Sequence, residues 1–111
     1  MNRVLFALLL LPVCSSYAEN YVVGQKDKAF IFDGKVIDHL KITVGDSVEF
    51  RNEDPFFHNV FSVSPGSRFD SGFFPQGESR SVIFDKQGEV EVECSIHPNM
   101  HLKVEVVSDE Q

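Results

Sequence analysis

Three side chains that can bind a soft metal ion occur at three-residue intervals near the end of the chain. They are Cys94, His97 and Met100, in the stretch CSIHPNM. A thiolate, an imidazole and a thioether together favour copper, with zinc as a competitor. The alternative is a turn that carries a buried structural thiol and a core methionine, since both residue types are common in cores.

The alternation of residues predicts where these side chains point. In the strand predicted for 89–94, Cys94 falls on the same face as Val90 and Val92, so its sulfur is expected to point inward. Met100 has the parity of Leu102 in the last strand and is also expected inward. His97 lies between them in a loop that Pro98 would stiffen.

Two histidines and one cysteine with a weak methionine form a blue-copper electron-transfer site, so a second histidine is required. His39 and His101 have the parity of charged strand residues and are expected to face solvent. His58 opens an apolar strand well upstream of Cys94 and is the remaining candidate. Taken alone, it could equally be a hydrogen-bonded core histidine.

The hydrophobic pattern has a period of two and gives no long helix. We predict an all-β, Greek-key β-sandwich of about seven or eight short strands. A Gly45-Asp46 turn would join the strands at 41–44 and 47–51, and the strand at 79–84 would form an antiparallel hairpin with the Cys94 strand about the turn at 85–88. The other predicted strands cover 21–23, 29–32, 36–44, 58–63 and 102–106.

The pattern of His58-Asn59 followed by Cys94-x-x-His97-x-x-Met100 resembles that of the cupredoxins, small type 1 copper proteins. The two-residue gap before Met100 is similar to that of amicyanin, and plastocyanin has a longer gap. The resemblance implies three equatorial copper ligands, an axial Met100, and Asn59 as the residue that ties the His58 loop to the Cys94 loop. The ligands would be His58, Cys94 and His97. The family often has a glycine soon after the axial methionine, whereas His101 and Leu102 follow Met100 here. His101 is therefore an additional candidate for a ligand or for a pH-sensitive neighbour of the site.

The beginning of the chain is typical of a secretory signal peptide. Arg3 precedes an apolar run from Val4 to Val13, and small residues follow up to Ala18. We expect cleavage after Ala18, which gives a signal peptide at 1–18 and a copper-binding domain at 19–111. The apolar run is short for a membrane span. We expect the protein to be periplasmic or secreted, and lipid anchoring at Cys14 is the less favoured alternative.

Charge and aromatic residues restrict the partners. The formal net charge of −7 argues against nucleic acids and anionic membranes as binding partners.

Apolar residues flank the predicted site, and we expect them to form a docking patch near His97 for redox partner proteins. This predicted patch consists of Phe56, Phe57, Phe73, Phe74, Ile96 and Pro98. The alternative is that these rings fill the end of the sandwich.

These observations predict an exported, monomeric protein that holds one copper ion and shuttles single electrons between partners. No acid–base pair is visible, so catalysis is not expected. Two alternatives stay open: a copper-trafficking or storage module, and an accessory assembly domain for a larger exported oxidoreductase.

Overall fold

The computed structural model describes residues 17–109, which form ten β-strands and no helix. Most of the predicted signal peptide, including Cys14, lies outside the described residues. Within 17–109, no helix has the length and hydropathy needed to cross a membrane. The strands are β1 Asn20–Lys26, β2 Ala29–Phe32, β3 Lys35–Val36, β4 His39–Thr43, β5 Ser47–Asn52, β6 Phe61–Ser64, β7 Ser67–Asp70, β8 Ser79–Ile83, β9 Gly88–Cys94 and β10 His97–Val107.

The strands form two five-stranded sheets that pack as a sandwich, so the all-β sandwich predicted from the sequence is confirmed. One sheet has the order β3-β2-β1-β5-β8 and the other β4-β10-β9-β6-β7. Alternation places one face of each strand in the core. Val90, Val92 and Cys94 are buried on β9, and Glu89, Glu91 and Glu93 point to the other side.

The predicted number of strands was too low. The segment predicted as one strand at 36–44 covers the last residue of β3 and all of β4, which lie in different sheets. β7 was not predicted because its sequence, Ser67–Asp70, has only one large apolar residue, Phe69. The strand predicted at 58–63 begins later, at Phe61, and His58 precedes it.

The predicted hairpin between the strand at 79–84 and the Cys94 strand is wrong. β8 pairs antiparallel with β5, whereas β9 pairs with β10 and β6 in the other sheet. The turn at 85–87 therefore carries the chain from one sheet to the other. Two consecutive strands joined by a short turn have the sequence pattern of a hairpin. The alternation of residues does not show whether the two strands pair with each other or lie in different sheets.

The Gly45-Asp46 turn also crosses between the sheets. Gly45 has φ +97°, a left-handed conformation that side chains disfavour. The Asp46 carboxylate accepts the backbone N–H of Thr43 at 2.8 Å and that of Glu19 at 2.9 Å. These contacts close the end of the sandwich that lies away from Cys94.

Three loops meet at the opposite end of the sandwich. Arg51, near the end of β5, pairs with Ser79 at the start of β8. Phe61, at the start of β6, pairs with Glu93 near the end of β9. The segments at 53–60, 71–78 and 95–96 are thus brought to one end, which is where the predicted ligands lie.

Candidate metal centre

Cys94 and His97 face each other across a tight connection. Cys94 ends β9 and pairs with His97, the first residue of β10, so that only Ser95 and Ile96 separate the strands. The Cys94 Sγ lies 3.7 Å from the His97 Nδ1. The thiol is buried and His97 is half-buried. The spacing of two residues therefore places both donors on the same side of this hairpin.

A bulge in β10 determines the position of Met100. After the pair His97–Cys94, pairing with β9 resumes only at His101–Glu93, so residues 98–100 of β10 have no partner on β9. Extra residues in one strand change the direction of side chains locally. Met100 is 1% exposed and precedes the buried Leu102 on the same face, so its side chain enters the core as its parity predicts.

His58 reaches the same point from a segment outside the named strands. It makes an isolated bridge with Phe74, in which each backbone N–H donates to the other residue's carbonyl, at 3.2 and 2.8 Å. Its side chain is fully buried, with Nδ1 3.5 Å from the Cys94 Sγ and Nε2 2.7 Å from the Asp54 Oδ2. The bridge to Phe74 thus fixes the backbone from which His58 projects.

The donor atoms of His58, Cys94 and His97 all lie within 4.8 Å of one another. No other group of three His, Cys, Asp or Glu residues within 17–109 meets this criterion. The set suits a soft or borderline metal ion, because it offers a thiol and two imidazoles in a mostly buried place. The chemistry and convergence of the donors therefore fit copper, as the sequence predicts.

Phe56 packs against both imidazoles. Its ring centroid lies 5.3 Å from that of His58 and 5.1 Å from that of His97, and the two imidazoles are 5.0 Å apart. Phe56 is half-buried. Its ring therefore excludes solvent from one side of the histidine pair.

Asn59 connects the His58 segment to the Cys94 loop. Its buried side-chain Oδ1 accepts the backbone N–H of Ser95 at 2.8 Å. Its backbone carbonyl accepts a hydrogen bond from the Gln25 side chain at 3.4 Å. The contact between Asn59 and Ser95 joins the two loops that the cupredoxin resemblance implies are tied at this position.

Asp54 was not singled out from the sequence as a site residue. It is 2% exposed, and its carboxylate contacts the ring of His58 and two backbone N–H groups of the turn between β1 and β2. Asp54 lies four residues before His58, and the Asp-Pro dipeptide indicates only a turn. A contact with a turn 26 and 27 residues away leaves no local signal in the sequence.

The ionisation of two groups is perturbed here. Burial alone would raise the pKa of Asp54, but hydrogen bonds from His58 and from the backbone N–H groups of Asp27 and Lys28 hold that pKa below its usual value. The pKa of His97 is lowered first by burial, and then by its proximity to His58 and to the Lys28 ammonium group. The shift of Asp54 favours the carboxylate that contacts the His58 ring, and the shift of His97 favours the neutral imidazole, which is the form that can bind a metal ion.

The remaining two histidines lie outside the cluster. His39 and His101 face solvent, as their parity predicts, and their rings contact the carboxylates of Glu105 and Glu91. On β10, His101 points away from the buried Met100 and Leu102 on either side of it. His101 is therefore not part of the donor cluster.

The predicted docking patch needs one correction. Phe74 is 0% exposed, because its bridge with His58 places it inside the end of the sandwich. Phe56 is half-buried against His97. Phe57, Phe73 and Ile96 are 54%, 50% and 49% exposed, and Pro98 is also exposed. Four of the six residues thus remain available to a partner.

Comparison with known proteins gives a fold and no sequence family. No protein-family profile matches the chain, and no curated protein matches its sequence. Among solved structures, a reduced Cu(I) form of a mutant amicyanin at pH 4 is 25% identical, with TM-score 0.68, over 78% of this chain and 81% of that chain. A second, reduced mutant amicyanin gives the same values.

A larger enzyme contains a similar domain. The Cu-containing nitrite reductase NirK from Thermus scotoductus SA-01 is 28% identical, with TM-score 0.69, over 80% of this chain but only 22% of that chain. The likeness therefore extends to one domain of the reductase. The chain has the fold of the cupredoxins, and the resemblance to amicyanin predicted from its sequence is confirmed.

Proposed function

We propose that this chain is an exported mononuclear copper protein that shuttles single electrons between redox partners. The observation that carries the proposal is the convergence of His58, Cys94 and His97 from separate segments of the fold. Structural likeness to amicyanin in a Cu(I) form and to a Cu-containing nitrite reductase supports copper as the metal.

The four predicted ligands have distinct parts in this proposal. Cys94, His58 and His97 are the strong donors, and the buried Met100 is the weaker fourth donor. Bound copper would supply the one-electron couple between Cu(II) and Cu(I). After cleavage at Ala18, Cys94 would be the lone cysteine of the exported protein, and its burial and ligation would protect the thiol from oxidation.

The fold supports electron carriage because contacts within the protein hold the segments that carry the donors. Cys94 and His97 are paired backbone to backbone, His58 is held by its bridge to Phe74, and Asn59 joins the two loops. A framework that holds its donors in place limits movement between oxidation states. With Met100 as the fourth donor, no position at the metal would stay open for substrate, and we therefore propose a carrier and not an enzyme.

The exposed part of the predicted patch is the proposed docking surface. Phe57, Phe73, Ile96 and Pro98 are exposed at the same end of the sandwich as the half-buried His97. A small apolar surface suits brief contacts with redox proteins. We propose that the chain acts as a monomer, in the periplasm or outside the cell, after cleavage at Ala18 leaves a domain at 19–111.

Electron exchange and metal transfer distinguish the carrier from the trafficking module. Copper-loaded protein is mixed in its oxidised and reduced forms, and electron self-exchange is measured from NMR line widths. In parallel, the reduced protein is incubated with a Cu(I) chelator. Fast electron exchange with slow metal loss is the expected result. Rapid metal loss without electron exchange would replace the carrier with a trafficking module.

A pull-down tests the assembly alternative. The wild-type chain and the Cys94→Ala variant are each immobilised, and the binding of large exported oxidoreductases to the two is compared. An accessory domain would bind one such partner stably with and without Cys94, whereas a carrier binds its partners only briefly.

A further inference from the structure

Asp54 lies directly behind His58 and contacts it at the nitrogen that faces away from Cys94. We propose that Asp54 is a positioning residue for the metal centre, whose carboxylate sets the tautomer of His58 and favours Cu(II) over Cu(I). This inference rests on the proposed copper site. It concerns a residue that lies outside the predicted ligand set.

The geometry determines which nitrogen carries the proton. An ionised carboxylate can only accept hydrogen bonds, so the 2.7 Å contact requires that His58 donates from Nε2. In a neutral imidazole, Nδ1 then has the free lone pair. That lone pair faces the Cys94 Sγ at 3.5 Å, which is where a metal ion would be bound.

The Asp54 carboxylate is held by two further hydrogen bonds. Oδ1 accepts the backbone N–H of Asp27 at 2.7 Å, and Oδ2 accepts that of Lys28 at 3.1 Å. Asp27 and Lys28 form the turn between β1 and β2, and both have positive φ, +54° and +58°. Non-glycine residues adopt this conformation rarely, so the turn depends on contacts that stabilise it.

Asn52 fixes the backbone on either side of this arrangement. Its buried side chain accepts the N–H of Asp54 at 2.8 Å through Oδ1. Its Nδ2 donates to the carbonyls of Phe56 and Phe74, at 2.8 and 2.9 Å. Asp54 is thus attached to β5, to the turn between β1 and β2, and to the segment that bridges His58. Its carboxylate has little freedom to leave the imidazole.

The Asp54 carboxylate at Nε2 of His58 affects the basicity of the imidazole as well as its position. A carboxylate that accepts the imidazole N–H raises the basicity of the other nitrogen. The negative charge stabilises Cu(II) more than Cu(I), because the more highly charged ion gains more from a nearby anion in a place of low dielectric. The loss of this charge is therefore expected to raise the reduction potential.

The test uses Asp54→Asn, with Glu53→Gln as its matched control. Each variant removes one negative charge, but Glu53 is exposed, whereas the Asp54 carboxylate is buried and contacts the His58 ring. We expect Asp54→Asn to weaken Cu(II) relative to Cu(I) about tenfold. For a one-electron couple this raises the potential by about 59 mV. We expect less than half of that shift for Glu53→Gln. Equal shifts in the two variants would overturn the proposal.

A second measurement needs neither metal nor a variant. The proton positions on His58 are read from the ¹⁵N shifts and two-bond couplings of the metal-free wild-type protein. A proton on Nε2 with none on Nδ1 is expected, and a proton on Nδ1 would overturn the proposal even if Asp54→Asn does not fold. If the wild-type chain fails to bind copper but shows the expected tautomer, the copper function fails and the role of Asp54 towards His58 remains.

Discussion

The Nδ1 of His58 lies 3.5 Å from the Sγ of Cys94, although 36 residues separate the two in the chain. Neither residue reaches the other through a shared hairpin. Cys94 ends β9, and His58 is held by a bridge to Phe74. The contact therefore depends on the closure of the whole sandwich at one end, and it is the feature from which the metal site follows.

Replacement of the thiol should separate the metal site from the fold. In Cys94→Ser we expect no intense visible band with Cu(II), since the band arises from charge transfer between thiolate and copper. The sandwich should remain folded, because its core consists mainly of Val, Leu, Ile and Phe. Visible absorption and far-UV circular dichroism check the two parts. A band that survives would show that Cys94 is not a ligand.

Met100 should tune the site without being required for binding. In Met100→Leu the volume of this buried side chain is nearly kept, so the free energy of unfolding should change by less than about 1.5 kcal/mol. Copper should stay bound, and the potential should rise because a weak donor to Cu(II) is lost. Protein-film voltammetry measures the reduction potential of the variant and of the wild type. An unchanged potential would restrict Met100 to the core.

The link between the two ligand loops should contribute to stability before metal binds. Asn59→Ala removes the acceptor of the hydrogen bond from the Ser95 N–H. We expect the free energy of unfolding of the metal-free protein to fall by about 1–2 kcal/mol. Urea unfolding measures the change. Asn20→Ala is the control, because the Asn20 side chain makes only solvent-exposed hydrogen bonds, to Ser47 and Glu49, and this variant should stay within about 0.5 kcal/mol of the wild-type unfolding free energy. Similar losses in both variants would contradict a specific role for Asn59.

The contribution of Asp54 to stability should depend on pH. Its pKa is below the usual value in the folded state, so folding favours the ionised form. That stabilisation is complete above about pH 4 and is lost as the pH falls through the folded-state pKa. The difference in unfolding free energy between metal-free wild type and Asp54→Asn should therefore be larger at pH 6 than at pH 3. A difference that grows towards acid pH would contradict the shift.

The docking surface should affect electron exchange but not the colour of the copper site. Phe73→Ser removes an exposed ring at the metal end, and we expect slower self-exchange with an unchanged visible spectrum. Ile83→Ser is the matched control, because Ile83 is 69% exposed and ends β8 at the other end of the sandwich. Equal rates for Phe73→Ser and wild type would exclude Phe73 from the docking surface.

Local patterns were sufficient for parts of this account. Alternation predicted that Cys94 and Met100 point inward and that His39 and His101 face solvent, because side-chain direction depends only on position in a strand. It could not show that β8 and β9 lie in different sheets, because both arrangements bury the same faces. The burial of Phe74 and the contact of Asp54 with His58 depend on distant segments, a bridge to His58 and a turn at Asp27, and so have no local signal in the sequence.

The copper site is tested first by the visible spectrum of the chain with one equivalent of Cu(II), followed by ascorbate and then by reoxidation. An intense blue or green band that bleaches on reduction and returns on oxidation is predicted, because Cys94, His58 and His97 would then hold a copper ion that changes its oxidation state reversibly. A tightly bound but colourless metal, or no binding at all, would contradict the assignment of an electron carrier.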